Sequence, residues 1–410
     1  MKASTRNGVV MIGWLALLGA GTALAADWPQ WRGANGDAKV TDFKAPETWP
    51  KQLTQKWNVA VGAGDATPAL VGNRLYVFSR QGAAEMTSCL DAETGKVIWQ
   101  DKFEPGVSVS GAAAQHPGPR SSPAVADGKV VTLGVSGVLS CLDAESGKLL
   151  WRKDPYKSWP QFFVASSPTI VDGLCIAQLG GRAGGAVAAF DLASGDEKWK
   201  AEQDGPAYAT PAVMTADGVK QLVAQTDKSL IGVGLADGKI LWQIPAPPQR
   251  MSQNAVTPII DGDVVIYSGQ GKGTAALKIE KQGDAFAPKQ LWANADISSG
   301  FATPVLKDGF LFGLSNKASF FCLDAKTGKT LWTAPARKGE RGFGSIVDAG
   351  QTLLALTPSA ELIALKPSDK EYSELASIKV PDAQPYAYPV VSGNRVFIKG
   401  QDAVSMFTVE

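Results

Sequence analysis

The sequence Leu90–Trp99, LDAETGKVIW, returns along the chain in close variants such as Leu142–Trp151 (LDAESGKLLW) and Leu323–Trp332 (LDAKTGKTLW). The aspartate can accept hydrogen bonds from its own turn, and the glycine can adopt a positive φ before the next strand. The tryptophan can bury about 150–250 Å² against a neighbouring unit. The stretch therefore predicts a turn, a strand and an anchoring side chain, and its recurrence predicts a repeat protein.

Each copy of this stretch closes a longer unit of roughly 40 to 55 residues, which opens with Ser/Thr-Pro and contains apolar runs separated by Gly-containing turns. We interpret each unit as four short strands. Proline lacks an N–H group and belongs at a sheet edge, which the innermost strand of a unit presents. The clear units are Thr67–Trp99, Ser122–Trp151, Ser167–Trp199, Thr210–Trp242, Thr257–Trp292 and Thr303–Trp332.

Two less regular units follow. The seventh has Ser345-Ile346 in place of Thr-Pro and no Trp before Val380, and the eighth begins at Tyr388-Pro389 and ends with the chain. The stretch Gln55–Val59 carries Trp57 without a unit before it, so we expect this strand to pair with the C-terminal strands. The sequence therefore predicts an all-β fold, a single eight-bladed β-propeller of four-stranded antiparallel blades, closed by pairing of the N- and C-terminal strands.

The first residues have the features of an export signal. Lys2 and Arg6 precede the apolar stretch Val9–Ala20, and the small-residue sequence Ala23–Ala25 follows. This pattern predicts a cleavable signal peptide. A retained signal anchor is the alternative. The predicted organisation is a signal peptide at 1–25, an N-terminal lead-in segment at 26–52 and the eight-bladed propeller at 53–410.

The remaining composition bears on location and partners. No cysteine precedes Cys89, so the cleavage region lacks the residue that a bacterial lipoprotein uses for its anchor. We expect a periplasmic or secreted, monomeric propeller with no membrane span after signal cleavage. The net charge of +1 over 410 residues offers no single-sign field for nucleic acid. We therefore expect a periplasmic or extracellular protein or polymer as the partner, and no nucleic acid.

The cysteines leave two interpretations open. Cys89, Cys141 and Cys322 recur at one repeat position, and Cys175 lies in a different apolar run. Export permits a disulfide, whereas small buried thiols that fill β-core positions are the interpretation we favour.

The repeated Leu-Asp-Ala-x-Thr/Ser-Gly-Lys-x-x-Trp pattern resembles the repeat of the PQQ-like, quinoprotein-type β-propeller family, and the resemblance covers residues 53–410. The opening Asp27–Gly33, DWPQWRG, resembles the segment that introduces many secreted bacterial members. The family contains quinoprotein dehydrogenases, which hold pyrroloquinoline quinone (PQQ) and Ca²⁺, and non-catalytic scaffolds such as BamB. The chain lacks the adjacent cysteine pair and the long insertions of the dehydrogenases, so the resemblance implies a distant relative of BamB.

The candidate site lies where the repeats differ. The connections between blades are expected on one face, here called the upper face, and the residue three positions before each Pro (or Ile346) should line the channel mouth there. These residues are Asp65, Arg120, Ala165, Tyr208, Ala255, Phe301, Phe343 and Tyr386. Aromatic rings and a guanidinium suit a flat or extended ligand. The alternative is that the rings fill the channel. His116, on the same face, is expected to be a solvated loop residue.

The leading hypothesis is a non-catalytic exported binding scaffold that holds a protein segment or polymer on its upper face. Asp65, Arg120, Tyr208, Phe301, Phe343 and Tyr386 form the predicted binding site, with no catalytic or metal residues and no cofactor. One alternative is a PQQ-dependent dehydrogenase of alcohols or sugars, in which Arg120 pairs with the cofactor carboxylates and Asp65 is the general base. Another is a carbohydrate-binding propeller.

Overall fold

Short apolar runs between glycine turns form 32 β-strands in a computed structural model, which describes residues 1, 26–182, 184–202, 204–249, 253–283, 285–340, 342–381 and 385–410. The strands form eight separate four-stranded antiparallel sheets, and this arrangement confirms the predicted eight-bladed β-propeller. The predicted signal peptide lies outside the described residues, apart from Met1. No helix in the described part of the chain has the length and hydrophobicity needed to cross a membrane.

Blades 1 to 4 each use four consecutive strands. Their bounds are β2 Ala69–Val71, β3 Arg74–Gln81, β4 Ala84–Asp91 and β5 Val97–Phe103; β6 Ala124–Ala126, β7 Lys129–Leu133, β8 Leu139–Asp143 and β9 Leu149–Lys153; β10 Thr169–Val171, β11 Leu174–Gly181, β12 Gly184–Asp191 and β13 Glu197–Glu202; and β14 Ala212–Ala216, β15 Val219–Gln225, β16 Ser229–Gly234 and β17 Ile240–Pro245. A 3₁₀ helix, Gly111–Gln115, lies between blades 1 and 2.

Blades 5 to 7 continue this pattern, and blade 8 combines both ends of the chain. Their bounds are β18 Ile259–Asp261, β19 Val264–Gly269, β20 Gly273–Gln282 and β21 Ala285–Asn294; β22 Val305–Lys307, β23 Phe310–Leu314, β24 Phe320–Asp324 and β25 Thr330–Thr333; β26 Ser345–Ala349, β27 Thr352–Thr357, β28 Glu361–Leu365 and β29 Glu374–Lys379; and β30 Val390–Ser392, β31 Arg395–Lys399, β32 Ala403–Thr408 and β1 Thr54–Ala60.

The ring closes through blade 8. The N-terminal strand β1 pairs antiparallel with the C-terminal strand β32, from Thr54 opposite Thr408 to Ala60 opposite Ala403. The sheet order β1-β32-β31-β30 makes β1 the outermost strand of this blade. The predicted closure is therefore confirmed, and it removes the long exposed edges that an open array would present.

Neighbouring blades are joined by the repeated tryptophan. The indole N–H of Trp99 in blade 1 donates to the carbonyl oxygen of Ala144 in the turn of blade 2 at 3.2 Å. In the same turn, a Cβ on Gly147 would lie 2.5 Å from the Trp99 ring, so only glycine lets the two blades approach this closely. The same bond joins Trp57 to Ala92, Trp151 to Leu192, Trp199 to Leu235 and Trp292 to Ala325.

Trp332 of blade 6 donates to the Ser368 carbonyl in a blade 7 turn that contains no glycine. Two further blades depart from this docking for a local reason. Trp242 of blade 4 donates to Gln221 Oε1 within its own blade, because the β20–β21 hairpin of blade 5 runs on without the Asp-x-x-x-Gly turn. In blade 7, Ala376 pairs with Ala364 at the position where Trp332 stands in blade 6. The next blade has the chain ends in place of this turn, so there is no turn under which a ring could dock.

The lead-in segment crosses the lower face, opposite the candidate site. Trp28 is buried and exchanges two backbone hydrogen bonds with Leu70 of β2, at 2.8 and 2.9 Å. Arg32 is 1% exposed and lies in the channel. Its guanidinium N–H groups donate to oxygen atoms of Gly36, Asp37, Thr303, Pro304 and Tyr388. Because a buried cation is costly unless hydrogen-bonded, these contacts fix the segment to blades 6 and 8.

The four cysteines are buried free thiols. Cys141 and Cys175 share one apolar cluster between blades 2 and 3. Burial raises the pKa of the Cys141 thiol to about 12. These residues fill the core between strands, as the favoured interpretation of the sequence expects.

We expect Gly147→Ala to destabilise the propeller by about 1–3 kcal/mol more than Gly128→Ala, because an added methyl group would overlap the docked Trp99 ring. Gly128 is a matched control in the same blade: its φ is +69° against +73° at Gly147, and no atom lies within 4 Å of its added Cβ. Urea denaturation of both variants measures the difference. Equal destabilisation would contradict the docking role of the glycine.

Candidate functional site

Three aromatic side chains form a continuous arc at the upper mouth of the channel. Phe301 and Phe343 stack with ring centroids 4.6 Å apart and an interplanar angle of 18°. Tyr386 meets Phe343 edge-on at 5.6 Å. These residues lie in the connections that precede blades 6, 7 and 8, so the arc, which we call the aromatic arc, follows the ring of blades. Phe301 is 41% exposed and offers a free ring face at one end.

The arc continues into a histidine–carboxylate pair from the connections before blades 1 and 2. The His116 ring lies edge-on to Tyr386 at 5.1 Å, and its Nδ1 is 3.1 Å from Asp65 Oδ2. The His116 and Asp65 side chains are only 28% and 12% exposed. The expectation that His116 is a solvated loop residue is therefore wrong. No local sequence pattern indicates the contact between His116 and Tyr386, because Tyr386 lies 270 residues further along the chain.

The hydrogen bond that His116 donates to Asp65 raises the pKa of His116 above its ordinary value of 6.5, although burial and the nearby Arg120 act in the opposite direction. The loops that carry the pair are held together by backbone contacts. The Asp65 N–H group donates to the Pro119 carbonyl at 2.9 Å. A Cβ on Gly118 would lie 2.1 Å from the Ala63 carbonyl oxygen, so glycine is required at this crossing.

Arg120 and Tyr208 form a second cluster around Phe162. Arg120 donates from Nη1 to the Phe162 carbonyl at 2.6 Å and from Nη2 to the His116 carbonyl at 3.0 Å. The Tyr208 hydroxyl accepts a hydrogen bond from the Phe162 N–H group at 3.1 Å, and burial raises the pKa of Tyr208. Sequence reasoning missed Phe162; the aromatic-rich run Trp159–Phe163 ahead of blade 3 was an available signal.

The structure thus divides the predicted ring into two groups. The aromatic arc lies next to Asp65 and not across the channel from it, because closure makes blade 8 the neighbour of blade 1. Arg120 joins the two groups through its hydrogen bond to the His116 carbonyl. Ala165 and Ala255 are half-exposed and leave gaps in the rim. These contacts arrange the predicted residues as an arc with an adjoining polar cluster.

Lys272 is a further polar group near this mouth. Its Nζ donates to Asn254 Oδ1 at 2.7 Å and to the Ala246 carbonyl at 2.8 Å, and burial lowers the pKa of Lys272 to about 8. The Tyr208 N–H group donates to the Asn254 carbonyl at 2.9 Å. These bonds link the loop that carries Tyr208 to blade 5, so the Lys272 ammonium group stabilises the position of that loop.

The donor groups at the mouth do not fit PQQ and Ca²⁺. Arg120 is directed at two backbone carbonyls, and Asp65 is paired with His116. Ca²⁺ needs clustered oxygen ligands. Among the residues described, no three His, Cys, Asp or Glu side chains lie close enough together to share a metal ion. The roles that the dehydrogenase alternative assigns to Arg120 and Asp65 therefore conflict with the contacts these groups make.

We expect Asp65→Asn to lower the pKa of His116, because the substitution removes the carboxylate that stabilises the imidazolium. His116 is the only histidine, so its ring signals in an NMR titration are unambiguous. Asp101→Asn, which removes a carboxylate paired with Arg152 on the blade rim, should leave the titration unchanged.

The same pair makes stability depend on pH. Because the pKa of His116 is raised in the folded state, the stabilisation is fully present below the pKa of an unfolded histidine and is lost as the pH rises through the folded-state pKa. The stability gap between the wild type and Asp65→Asn should therefore shrink from about pH 5 to about pH 9. A gap that is constant or grows with pH would contradict the assignment.

A protein-family model described as "Outer membrane protein assembly factor BamB" matches residues 83–334, more than half of the chain. The protein of that name from Yersinia pestis is 26% identical over 333 residues, which cover 76% of this chain and 68% of the relative. The confirmed repeat architecture and these matches bear out the resemblance found in the sequence.

Solved structures share the same fold. The crystal structure of BamB from Moraxella catarrhalis superposes with a TM-score of 0.65 at 15% identity and covers 87% of this chain and 99% of that one. A europium-containing methanol dehydrogenase gives a TM-score of 0.70 at 15% identity, over 92% and 88% of the two chains. At this level of identity both show the fold alone. Because the family model matches more than half of its residues, the chain belongs to the outer membrane protein assembly factor BamB family.

Proposed function

We propose that this protein is a non-catalytic binding scaffold that acts outside the cytoplasm and holds an extended protein segment on the upper mouth of its propeller. The observation that carries the proposal is the aromatic arc, in which stacked rings end in the 41% exposed face of Phe301. Relatives named as outer membrane protein assembly factors support a protein partner from that process. The pattern at residues 1–25 supports delivery to the periplasm.

The arc suits side chains and peptide planes because it is already ordered. The stacked Phe343 ring holds Phe301 in place, so a partner gains apolar contact without the entropy loss of immobilising a flexible side chain. Tyr386 and the Asp65–His116 pair continue the surface with polar atoms. A flat apolar surface with a polar neighbour is the combination that interface anchors use.

The gaps at Ala165 and Ala255 leave room beside these rings. Both residues are half-exposed and lie in the blade connections on either side of Tyr208. An extended segment that runs along the rim from Phe301 toward Tyr208 would pass the small side chain of Ala255 between the two aromatic positions. We infer that the segment runs over this part of the rim.

We expect Phe301→Ala and Tyr208→Ala to weaken binding to the partner by about tenfold or more, since each substitution removes an aromatic anchor. The test uses purified soluble domains of the source bacterium's outer-membrane assembly proteins in a titration by surface plasmon resonance. Leu291→Ala is the matched control, because Leu291 is 45% exposed on the outer strand of blade 5. Wild-type affinity in the two aromatic variants, with unchanged melting temperature, would remove the upper mouth as the binding site.

The fold likeness to a methanol dehydrogenase calls for a second measurement. We expect the purified protein to bind no PQQ when PQQ and Ca²⁺ are added, because Arg120 and Asp65 are engaged by neighbouring groups. Absorption spectroscopy detects a bound quinone, and a dye-linked assay detects alcohol or sugar oxidation. A bound chromophore with turnover would overturn the scaffold proposal in favour of the dehydrogenase.

A further inference from the structure

The lead-in segment pairs with the inner strand edges of some blades. Trp28 pairs with Leu70 on blade 1, the Pro29 carbonyl accepts from Val125 on blade 2 at 2.8 Å, and the Ala38 carbonyl accepts from Asp348 on blade 7 at 2.9 Å. The three blade residues occupy the same repeat position, two after the Pro or its Ile equivalent. The inner strands therefore present a series of equivalent edges to which an extended chain can bind.

In blades 3 to 6 of the described structure, the lead-in segment does not pair with the residue at this repeat position. The residues there are Ile170, Val213, Ile260 and Leu306, and all four are half-exposed. No backbone hydrogen bond outside their own sheets joins them to any other part of the chain that the structure describes. Beneath the lead-in segment, Leu70 is 0% and Asp348 6% exposed, whereas Val125, which is bonded to Pro29, is half-exposed. Strand edges left unpaired in this way can accept another strand.

A cleft of about 440 Å³ lies over these edges. This volume falls within the roughly 300–1,000 Å³ of small-ligand sites. The cleft, which we call the lower cleft, is bounded on one side by the lead-in segment and on the other by the inner strands of blades 3 to 5. Ile170, Val213 and Ile260 form an apolar floor, and Trp31 forms part of the wall.

The wall of the lower cleft is rigid. The Trp31 indole N–H donates to Thr257 Oγ1 at 2.9 Å, and its ring lies edge-on to Tyr388 at 5.0 Å. Arg32 is held by bonds to carbonyls of blade 6 and the Tyr388 hydroxyl, so its N–H groups are not available to a ligand. The cleft therefore offers a ligand strand-edge backbone and branched apolar side chains on the blade side, and polar lead-in residues that include Asn35, Asp37 and Lys39 on the other.

We propose that the lower cleft binds an extended polypeptide segment that carries a large apolar side chain, in the manner of the chain's own Trp28–Trp31. The backbone of the segment pairs with Ile170 and Val213, and the apolar side chain packs on the floor beside Trp31. Pairing of main chain with a free strand edge supplies affinity, and pockets for alternate side chains supply specificity. The lower cleft lies on the face opposite the aromatic arc, so this proposal is independent of the upper-mouth site.

The test uses the folded full chain and a synthetic peptide of residues 27–35, DWPQWRGAN, as the probe. We expect saturable binding by isothermal titration calorimetry, and binding at least about tenfold weaker when both Trp residues of the peptide are replaced by Ala. A benzophenone amino acid at the first Trp position should cross-link to residues 168–171 or 210–213. Absence of saturation at about 1 mM peptide, or cross-links confined to the upper face, would overturn the proposal.

Variants of the floor supply an independent result. Val213→Asp and the milder Ile170→Ser should each weaken peptide binding by about tenfold or more, since both reduce the apolar contact. Leu291→Asp, on the outer strand of blade 5, is the control and should bind like the wild type. Melting temperatures confirm folding; if Val213→Asp fails to fold, Ile170→Ser decides. Unchanged affinity in a folded floor variant would contradict the proposal, whatever the assembly proteins do at the upper mouth.

Discussion

Docking of a tryptophan ring beneath the glycine turn of the next blade is the contact on which the architecture depends. The Trp99 indole bonds to the Ala144 carbonyl, and the missing side chain of Gly147 provides the space for the ring. Because the contact passes from blade to blade, it sets the rotation between sheets and leads to a ring. Blade 7 shows the converse: its neighbour has chain ends in place of the turn, and Ala376 stands where the ring would be. The repeated residues thereby serve assembly of the ring, and the residues that differ between repeats lie in the connections between blades.

Ring closure also determines what the upper mouth can do. The strand pairing of β1 with β32 places blade 8 beside blade 1, so Tyr386 meets His116 and the aromatic arc joins the Asp65 carboxylate. Without closure these groups would lie at opposite ends of an array. The resulting surface combines ordered rings with one titratable pair, and the hydrogen bond to Asp65 keeps the pKa of His116 raised.

The lower face is asymmetric because one short segment covers it unevenly. The lead-in segment forms backbone hydrogen bonds with the inner strand edges of blades 1, 2 and 7. The buried Arg32 fastens it to blades 6 and 8. The inner edges of blades 3 to 5 stay open beside a rigid wall. The two faces therefore present different surfaces. The upper mouth presents aromatic side chains, and the lower cleft presents strand-edge backbone groups.

The sequence alone specifies the number of blades, the closure by the chain ends and the turn chemistry, because these follow from the repeat pattern and from the unpaired Trp57 strand. It also placed the family. Which residues of the mouth are in contact follows only from the folded ring. His116 contacts Tyr386 although the two are far apart in sequence. Arg120 donates to the carbonyls of Phe162 and His116, so its guanidinium is directed at the protein backbone. The path of the lead-in segment across the channel was likewise absent from the sequence pattern. Such contacts join single, non-repeated residues across the closed ring, and no periodicity encodes them.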